Sequence, residues 1–536
     1  MLIRRSEKIY FDGFLPPRKR TVRISRLESY LKQLITFRSL HSNGVRCQEI
    51  TSDASNPTAQ ELFDCCKSLA NNYHSLPASP FLVPAILDTL STSAFASIVE
   101  VIPAEADSFC ADAARKLDGV VLTSDSDLLV HDLGIDGGVI FFKQLGLQTA
   151  ADSGCHVVAA PTFRPFAIAK QLDVINVSRL AFELKTDSTI TLLEAVRRTR
   201  QSPDDVPAYK DFLVEYTRSG SSAGIPTSLH GSSSSVLRRM DPRISELVLQ
   251  YYEPGDEIIC VYLPFLIDDP SRISAWDVSL DLRYFAYSLL SHDTTTCRKS
   301  TIIHEYGRRG KRIMYHEVRT ISSGQCIHFA KIMFDRLMAI QTILHDMPEY
   351  IHWRVFSMLM VVCWYVDSGR TPPSDADLLV VLRGAYVNTI RWEVVHLTTQ
   401  SQAVLYAFRF IQKIIEYLVY HTSTTLNKQL MELWEVLQEL PSLEKTIPFR
   451  HELLKEPGSE LEPHKILELV KEIAGFAVSP PQEARNQEIV QGVEPSWTLS
   501  KRQPTRKRKQ NSHMSKKPSV DLTKQTNNMY SVLAKI

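Results

Sequence analysis

Short apolar runs alternate with helical spacings of apolar residues along the first 195 residues. Runs of strand length occur at 8–12, 98–102, 119–123 and 139–142. Apolar residues at helical spacing predict helices at 22–37, 80–95 and 104–116, with another starting at 128–133. This alternation predicts the α/β fold class, with a mostly parallel sheet flanked by helices. Side chains that follow the carboxyl ends of such strands gather at one edge of the sheet, where active sites of this architecture lie.

The second half of the chain divides into segments of different composition. Serine and glycine dominate 219–235, which predicts a linker over 201–236. The run at 258–267 predicts a strand, those at 302–305 and 313–318 predict a hairpin, and helical spacing dominates 330–474. The predicted domains are an α/β domain at 1–200, the linker, a mixed α/β region at 237–330, a largely helical domain at 331–475 and a disordered basic tail at 476–536.

Composition and motifs exclude several classes of protein. The 61 Lys and Arg residues nearly balance 60 Asp and Glu residues, so any polyanion must bind to local basic patches. No apolar run reaches the roughly 20 residues of a membrane helix, and we expect 355–366 to be a buried helix. Nine cysteines without a CxxC pair argue against a zinc ribbon or a disulfide scaffold. The N-terminus lacks a secretory signal, which predicts a cytosolic or nuclear protein without a membrane partner.

Five acidic residues stand where predicted strands end. Asp12 closes the first strand, Glu105 and Asp107 follow the second, and Asp125 and Asp127 follow the third. In parallel neighbouring strands these carboxylates share one crevice, where their repulsion requires a counter-charge such as Mg²⁺ or Mn²⁺. Two such ions could support in-line cleavage of a phosphodiester. The alternative is that each acid forms a turn, caps a helix or complements a helix dipole.

The acidic motifs resemble those of a known superfamily. The segment IPAEAD at 102–107, followed by a helix and by LDGVVLTSDSDLLV at 117–130, resembles the internal region of the XPG and flap-endonuclease superfamily. The segment YFDGFLPPRKR at 10–20 is similar to its strand-Asp-Gly element with a basic continuation. Three later segments resemble fungal members of its Asteroid group, at 241–247, 261–278 and 305–313.

The resemblance implies a PIN-like fold and a metal-dependent nuclease activity, with a role in DNA repair. By this resemblance Asp12, Glu105, Asp107, Asp125 and Asp127 take the family's catalytic and metal-binding places for Mg²⁺ or Mn²⁺, with two ions expected. Asp187, in the segment LKTD at 184–187, occupies a plausible place for a further ligand but lacks the family's neighbouring Gly and Tyr.

Two departures from the family bear on activity. Family members carry a first strand with another ligand Asp before the strand that ends here at Asp12, so the sequence indicates a truncated or degenerate member. We therefore expect weak cleavage and better preserved binding. The glycine-rich DNA-gripping element of flap endonucleases is replaced by 189–200, which has the pattern of an amphipathic basic helix.

A basic rim surrounds Asp12, since residues 1–32 hold nine Lys or Arg against three acids. We predict contacts with a nucleic-acid backbone from Arg18, Lys19, Arg20, Arg23 and Arg26. A second basic group at the predicted hairpin tip contains Arg308, Arg309, Lys311 and Arg312. The alternative for the basic rim is a solvated helix face on which the arginines cover apolar neighbours, and for the hairpin tip it is an exposed, solvated loop.

Two functions remain open at this point. The first is a structure-specific nuclease of the Asteroid/XPG type that acts on single-stranded or branched DNA, or on RNA. The second is an inactive nuclear adaptor, in which the PIN-like fold is a scaffold and the helical domain binds a protein partner. The absent first strand favours the adaptor. The sequence leaves the oligomeric state undetermined.

The basic tail yields a first testable prediction. A nuclear localisation signal is expected at Lys501, Arg502, Arg506, Lys507, Arg508 and Lys509. Residues 501–517 hold eight basic residues and no acid, which suits an acidic receptor groove. A fluorescent fusion of the whole chain should accumulate in nuclei, and one without 500–536 should not. Nuclear accumulation of the shortened fusion would refute the assignment.

Overall fold

The computed structural model describes most of the chain, in segments listed at the end of this paragraph. The chain forms two units, of which unit one contains the described residues of 8–46, 76–106 and 232–475, and unit two those of 107–216. The domain predicted at 1–200 is therefore divided, because its first part packs with the second half of the chain. The described segments are 8–46, 76–149, 156–201, 206–216, 232–253, 258–293, 296, 298, 300–383, 389–421, 426–443 and 463–475.

Helices make up most of the described structure. In chain order they are α1 (Arg20–Leu40), α2 (Leu82–Ser91), α3 (Ala106–Leu117), α4 (Pro165–Gln171), α5 (Val177–Thr186), α6 (Leu192–Gln201), α7 (Pro207–Tyr216), α8 (Ser232–Leu237), α9 (Pro242–Tyr252), α10 (Leu280–Ser291), α11 (Ser323–Ile343), α12 (Glu349–Asp367), α13 (Asp375–Arg383), α14 (Trp392–His421), α15 (Lys428–Leu437) and α16 (Pro463–Ile473). The helix predicted at 128–133 is only a 3₁₀ helix at Ser126–Leu129.

Short strands connect these helices. They are β1 (Ile9–Asp12), β2 (Val45–Arg46), β3 (Val99–Ile102), β4 (Val120–Thr123), β5 (Gly138–Phe141), β6 (Gly146–Thr149), β7 (His156–Ala159), β8 (Ile259–Tyr262), β9 (Ile302–Arg309), β10 (Arg312–Arg319) and β11 (Thr389–Ile390). The predicted hairpin is present as β9 and β10, whereas the strand predicted at 258–267 pairs only over β8.

Parallel pairing is confirmed, but one continuous parallel sheet is not present among the described strands. β1 pairs with β3 in unit one, and β4 pairs with β5 in unit two, both in parallel. The other sheets are β10-β9-β8 and the antiparallel pairs β6-β7 and β2-β11. The predicted sheet is divided because its strands belong to different units, a separation that strand-length apolar runs do not reveal.

The core of unit one is built around α14, a helix of 30 residues that is buried along most of its length. It packs against α8, α10, α12, α13 and the 3₁₀ helix Ala275–Ser279. Inside this core the Tyr406 hydroxyl donates to Asp241, which also caps α9 by accepting the backbone N–H of Arg243 at 3.0 Å. The apolar run at 355–366 lies buried in α12, as predicted. Among the described helices, none is long and apolar enough to cross a membrane.

A buried ion pair joins the hairpin to this core. Arg283 on α10 donates to Glu305 on β9 at 2.7 and 2.9 Å, and the Tyr287 hydroxyl donates to the same carboxylate at 2.9 Å. Burial by itself would raise the pKa of Glu305, but Arg283 and Tyr287 outweigh it and hold the pKa below its usual value. Arg283 and Glu305 are both buried, so each charged side chain needs the opposite charge of the other.

Unit two has its own apolar core between α5, α6, α7 and the β4-β5 pair. Tyr209 and Phe212 of α7 contact Phe182 of α5 through their rings, at centroid distances of 5.4 and 5.6 Å. The linker prediction over 201–236 does not hold for α7 and α8. Composition gave no weight to the aromatic residues at 209, 212 and 216, whose helical spacing buries them in this core. Residues 202–205 and 217–231 of the predicted linker lie outside the described residues.

The buried ion pair should contribute to the free energy of unfolding of unit one. Glu305→Gln leaves the guanidinium of Arg283 buried without its counter-charge, which should lower the free energy of unfolding by about 3–5 kcal/mol. Urea denaturation followed by tryptophan fluorescence measures this change. Glu317→Gln, at an exposed position on the same hairpin, should change the value by less than about 0.5 kcal/mol. Equal curves for the two variants would contradict the assigned role of the pair.

Candidate functional site

Asp12 lies at the carboxyl end of β1, as predicted. The parallel register places it opposite Ile102, the last residue of β3. The next residue, Gly13, donates its N–H to the Ile102 carbonyl at 2.7 Å, and a Cβ at Gly13 would lie 2.3 Å from that oxygen. Only glycine fits this close approach. The Asp-Gly sequence therefore ends the strand pair and fixes the position of the Asp12 carboxylate.

The Asp12 carboxylate caps helix α3. It accepts the backbone N–H of Ala106, the first residue of that helix, at 2.7 Å. Although Asp12 is exposed by surface area, the protein around its carboxyl group raises the pKa. The Ala106 N–H lowers this pKa, the negative charge of Glu105 raises it, and Lys19 and Arg23 lower it, with a net rise. Asp12 thus combines the structural role left open above with an electrostatic coupling to Glu105.

Glu105 is paired with two residues of the predicted nucleic-acid-binding set. Lys19 donates to the Glu105 carboxylate, and a guanidinium nitrogen of Arg18 lies 3.9 Å from it. In unit one, Glu105 is near enough to Asp12 for its charge to raise the Asp12 pKa, and cationic side chains lie beside Glu105. Lys19 and Arg18 supply the counter-charge that the sequence analysis assigned to a metal ion.

The other three predicted acids belong to unit two. Asp107 lies in the first turn of α3, and Asp125 and Asp127 follow β4. Asp125 accepts the N–H of Asp127 at 3.0 Å, so it caps the 3₁₀ helix, and its own N–H donates to the Thr123 hydroxyl at 3.0 Å. Both units thus carry acids at the carboxyl end of a parallel strand pair. The convergence of all five carboxylates stays a prediction.

Asp187 is held by neighbours in its own unit. Its carboxylate accepts the Thr189 hydroxyl at 2.6 Å and the Thr189 N–H at 3.2 Å, and a guanidinium nitrogen of Arg198 lies at 3.3 Å. These hydrogen bonds, chiefly that of the Thr189 hydroxyl, hold the pKa of Asp187 below its usual value. The residue has the partners of a helix-ending turn, and its role as a metal ligand stays a prediction.

The carboxylates of unit one suit only a metal site in which the protein supplies one or two ligands. Within the described segments, no three or more His, Cys, Asp or Glu side chains form a group that could hold a metal ion. Mg²⁺ needs only one or two carboxylates when waters and substrate phosphates complete its shell. The oxygen donors of Asp12 and Glu105 fit such a cation, as does the negative charge of Glu105, which adds to the rise in the Asp12 pKa that burial chiefly causes.

The remaining residues of the predicted basic rim differ in their surroundings. Arg23 donates both guanidinium nitrogens to Glu246, at 2.8 and 3.0 Å. Burial raises the pKa of Glu246, and Arg23 opposes that rise. Arg20 is exposed and donates to the Tyr306 hydroxyl, and Arg26 is exposed on α1. Arg20 and Arg26 therefore offer accessible charge, whereas Arg23 is largely neutralised.

The hairpin-tip prediction is wrong for Arg308. This side chain is buried, and its guanidinium donates to the Asp268 carboxylate at 3.0 Å and to the carbonyls of Arg272 and Ile273 at 3.1 and 2.9 Å. Residue 308 lies on the face of the sheet that α1 covers. A count of basic residues cannot reveal which face of a sheet a residue occupies. Arg309 pairs with Asp277 at 2.7 Å, while Lys311 and Arg312 are exposed as expected.

Three tyrosines that the sequence analysis missed lie in a row across the β8-β9-β10 sheet. Tyr262 is opposite Tyr306, and Tyr306 is opposite Tyr315, so their rings share one face. We call these three residues the tyrosine ladder. Part of the signal was available, because a hairpin that turns at Gly310 and Lys311, between the two predicted arms, aligns 306 with 315. The predicted nuclear localisation residues at 501–509 lie outside the described residues.

Because the pKa of Asp12 is raised in the folded chain, the stability of the fold should depend on pH. A carboxyl group whose pKa is higher in the folded state than its usual 3.8 adds stability at low pH, and this contribution is lost as the pH rises through the folded-state pKa. Asp12→Asn keeps an oxygen that can cap α3 but does not ionise. Its stability relative to the natural chain should therefore increase across this pH window.

Urea unfolding at a series of pH values tests this expectation. Asp346→Asn, at an exposed position of unit one, should run parallel to the natural chain. A parallel profile for Asp12→Asn would show that burial and the charge of Glu105 do not raise the pKa of Asp12 in the folded chain.

One comparison with known proteins found a matching family model. Residues 78–320 match the model of a family described as XPG domain containing. This range includes Glu105, Asp107, Asp125 and Asp127, and also the strands β8 and β9. Searches of curated proteins and of solved structures found no match. The family match supports the placement of this chain in the XPG/PIN-like superfamily.

Proposed function

We propose that this chain binds single-stranded or branched nucleic acid and cleaves it in a reaction that requires Mg²⁺ or Mn²⁺. The observation that carries the proposal is the pair Asp12 and Glu105, two electrostatically coupled carboxylates at the carboxyl end of parallel strands. Glu105 lies within the XPG-type match, and basic residues of α1 and the preceding segment adjoin it. Carboxylates with basic side chains beside them suit a substrate that has a phosphate backbone.

Asp12 and Glu105 would hold one cation in unit one, and Asp107, Asp125 and Asp127 of unit two stay proposed ligands of the second ion. A bound cation would supply charge stabilisation at the reacting phosphate and activation of water. The residues of the chain do the positioning. The β1-β3 pairing and the close approach at Gly13 hold Asp12 in place, while Lys19 and Arg18 balance the charge of Glu105.

The Asteroid assignment is part of the same proposal. Within the superfamily, the segments at 241–247, 261–278 and 305–313 resemble that group. These segments contain the α9 cap, the Asp268–Arg308 pair and Glu305, which pairs with Arg283 of α10 in unit one. A role in the nucleus, including DNA repair, is proposed from the basic tail and from the resemblance.

A second function is favoured by a specific observation. Asp12 and Asp125 both cap helices, and Glu105 is already paired with Lys19, so these acids have structural partners without metal. The same residues would suit a nuclear adaptor that binds nucleic acid without cleaving it. In that case the helices from α11 to α16 would offer the surface for a protein partner.

Cleavage assays distinguish the two functions. The purified whole chain should cleave flap, splayed or single-stranded substrates slowly in Mg²⁺ or Mn²⁺. Asp12→Asn and Glu105→Gln should each lower the rate by about 100-fold, because a displaced ligand misplaces the reacting groups. Both variants should bind the same substrates to within a few-fold, and Asp346→Asn should behave like the natural chain in both assays.

Two outcomes would count against the nuclease. Tight, salt-sensitive binding without any metal-dependent cleavage would favour the adaptor. Cleavage at an unchanged rate by both Asp12→Asn and Glu105→Gln would show that these carboxylates do not serve the reaction.

A further inference from the structure

The tyrosine ladder forms a continuous aromatic surface in unit one. Tyr262 and Tyr306 stack, with ring centroids 4.9 Å apart and planes 15° apart. Tyr306 and Tyr315 are 5.7 Å apart, and His304 stacks on Tyr315 at 4.2 Å with planes 19° apart. Four aromatic rings from three strands therefore make a connected row on one face of the sheet.

Two arginines of α1 cover part of this row. The guanidinium of Arg20 lies over the ring of Tyr306 at 5.0 Å, and that of Arg23 lies over Tyr262 at 4.6 Å. Arg23 is neutralised by Glu246, but no described carboxylate lies within 4.0 Å of Arg20. Burial lowers the pKa of His304, Glu317 raises it, and Arg20 lowers it, with a net fall. His304 therefore adds a neutral ring at physiological pH, and Arg20 adds a positive charge.

Exposure differs sharply along the ladder. Tyr306 is only 4% exposed, because its neighbours and Arg20 cover it. Tyr315, on the outer strand β10, is 48% exposed and has ring surface open to solvent. At the other end of the ladder a cleft of about 330 Å³ opens beside Tyr262. Its walls include Phe14, Cys260 and Arg20, and also the ion pairs Arg23–Glu246 and Arg298–Glu253.

We propose that the tyrosine ladder is the binding track for single-stranded nucleic acid, with a base stacked on Tyr315, a phosphate at Arg20 and the next nucleotide in the cleft beside Tyr262. This inference rests on the proposed function and assigns its substrate contacts. A nucleobase can stack on an exposed aromatic ring whatever its identity. A guanidinium without an acidic partner suits the phosphate between two such bases. The cleft volume lies within the range of small-ligand pockets, about 300–1,000 Å³.

The geometry also indicates why single strands are favoured over duplexes. A base inside a duplex has both faces stacked on its neighbours, so it offers no free face to Tyr315. A single strand or a splayed end presents unstacked bases. Binding through the ladder should therefore depend on bases as well as on phosphates.

Fluorescence anisotropy with a labelled single-stranded oligonucleotide tests this track. Tyr315→Ala should weaken binding by about 5- to 150-fold, the effect of losing one stacked base. Tyr315→Phe keeps the ring and should bind like the natural chain. Phe95→Ala removes an aromatic ring of unit one that is 50% exposed and lies outside the ladder, so it serves as the matched control. Melting temperatures confirm that each variant is folded.

Two further measurements separate the contribution of the Tyr315 ring to binding from that of the Arg20 charge. Arg20→Gln should reduce the magnitude of the salt dependence, d log K/d log[salt], by about 0.7, which corresponds to one phosphate contact of a single strand. An oligonucleotide of abasic residues should bind the natural chain and Tyr315→Ala equally, because no base remains to stack.

The results distinguish this inference from the proposed function. If the natural chain binds and Tyr315→Ala binds equally well, the track lies elsewhere, and the proposed function stands. If the natural chain binds no nucleic acid, both fail. If Tyr315→Ala and Phe95→Ala lose affinity by the same factor, the loss is not specific to the ladder, and the inference is overturned.

Discussion

The candidate site depends on the parallel pairing of β1 with β3. These strands are separated by more than 80 residues, and each contributes only four residues to the pair. Their register sets Asp12 beside the segment that leads into α3, where Glu105 lies. The close contact between Gly13 and the Ile102 carbonyl fixes the end of the pair, since no larger residue fits there. Without this pairing the two carboxylates would not influence each other.

Charge compensation links this site to the stability of the fold. Asp12 satisfies an N–H at the start of α3, and Glu105 pairs with Lys19. The same charges that would attract a cation are therefore balanced, without a metal, by a helix terminus and a lysine. A divalent cation must compete with these partners, while nucleic acid must compete with the carboxylates for Lys19. Metal and substrate are thus expected to bind cooperatively, because each releases a partner that the other uses.

Sequence patterns predicted the local structure well and the long-range packing less well. Asp12, Asp125 and the hairpin lie where the apolar runs placed them, because strand ends follow from local periodicity. The burial of Arg308 could not be predicted, since it depends on Asp268 and on carbonyls 35 and 36 residues away in the chain. The tyrosine ladder needs the pairing of β8 with β9, which no local pattern specifies. The division of 1–200 between two units likewise depends on contacts with the second half of the chain.

We propose above that Asp12 and Glu105 hold a divalent cation. A crystal of the whole chain soaked in millimolar Mn²⁺ and measured for anomalous scattering tests it directly. We expect an anomalous peak within about 2.0–2.6 Å of oxygen atoms from both carboxylates, with the Lys19 ammonium displaced from Glu105. A map without density at this position, with Lys19 still paired to Glu105, would contradict the claim.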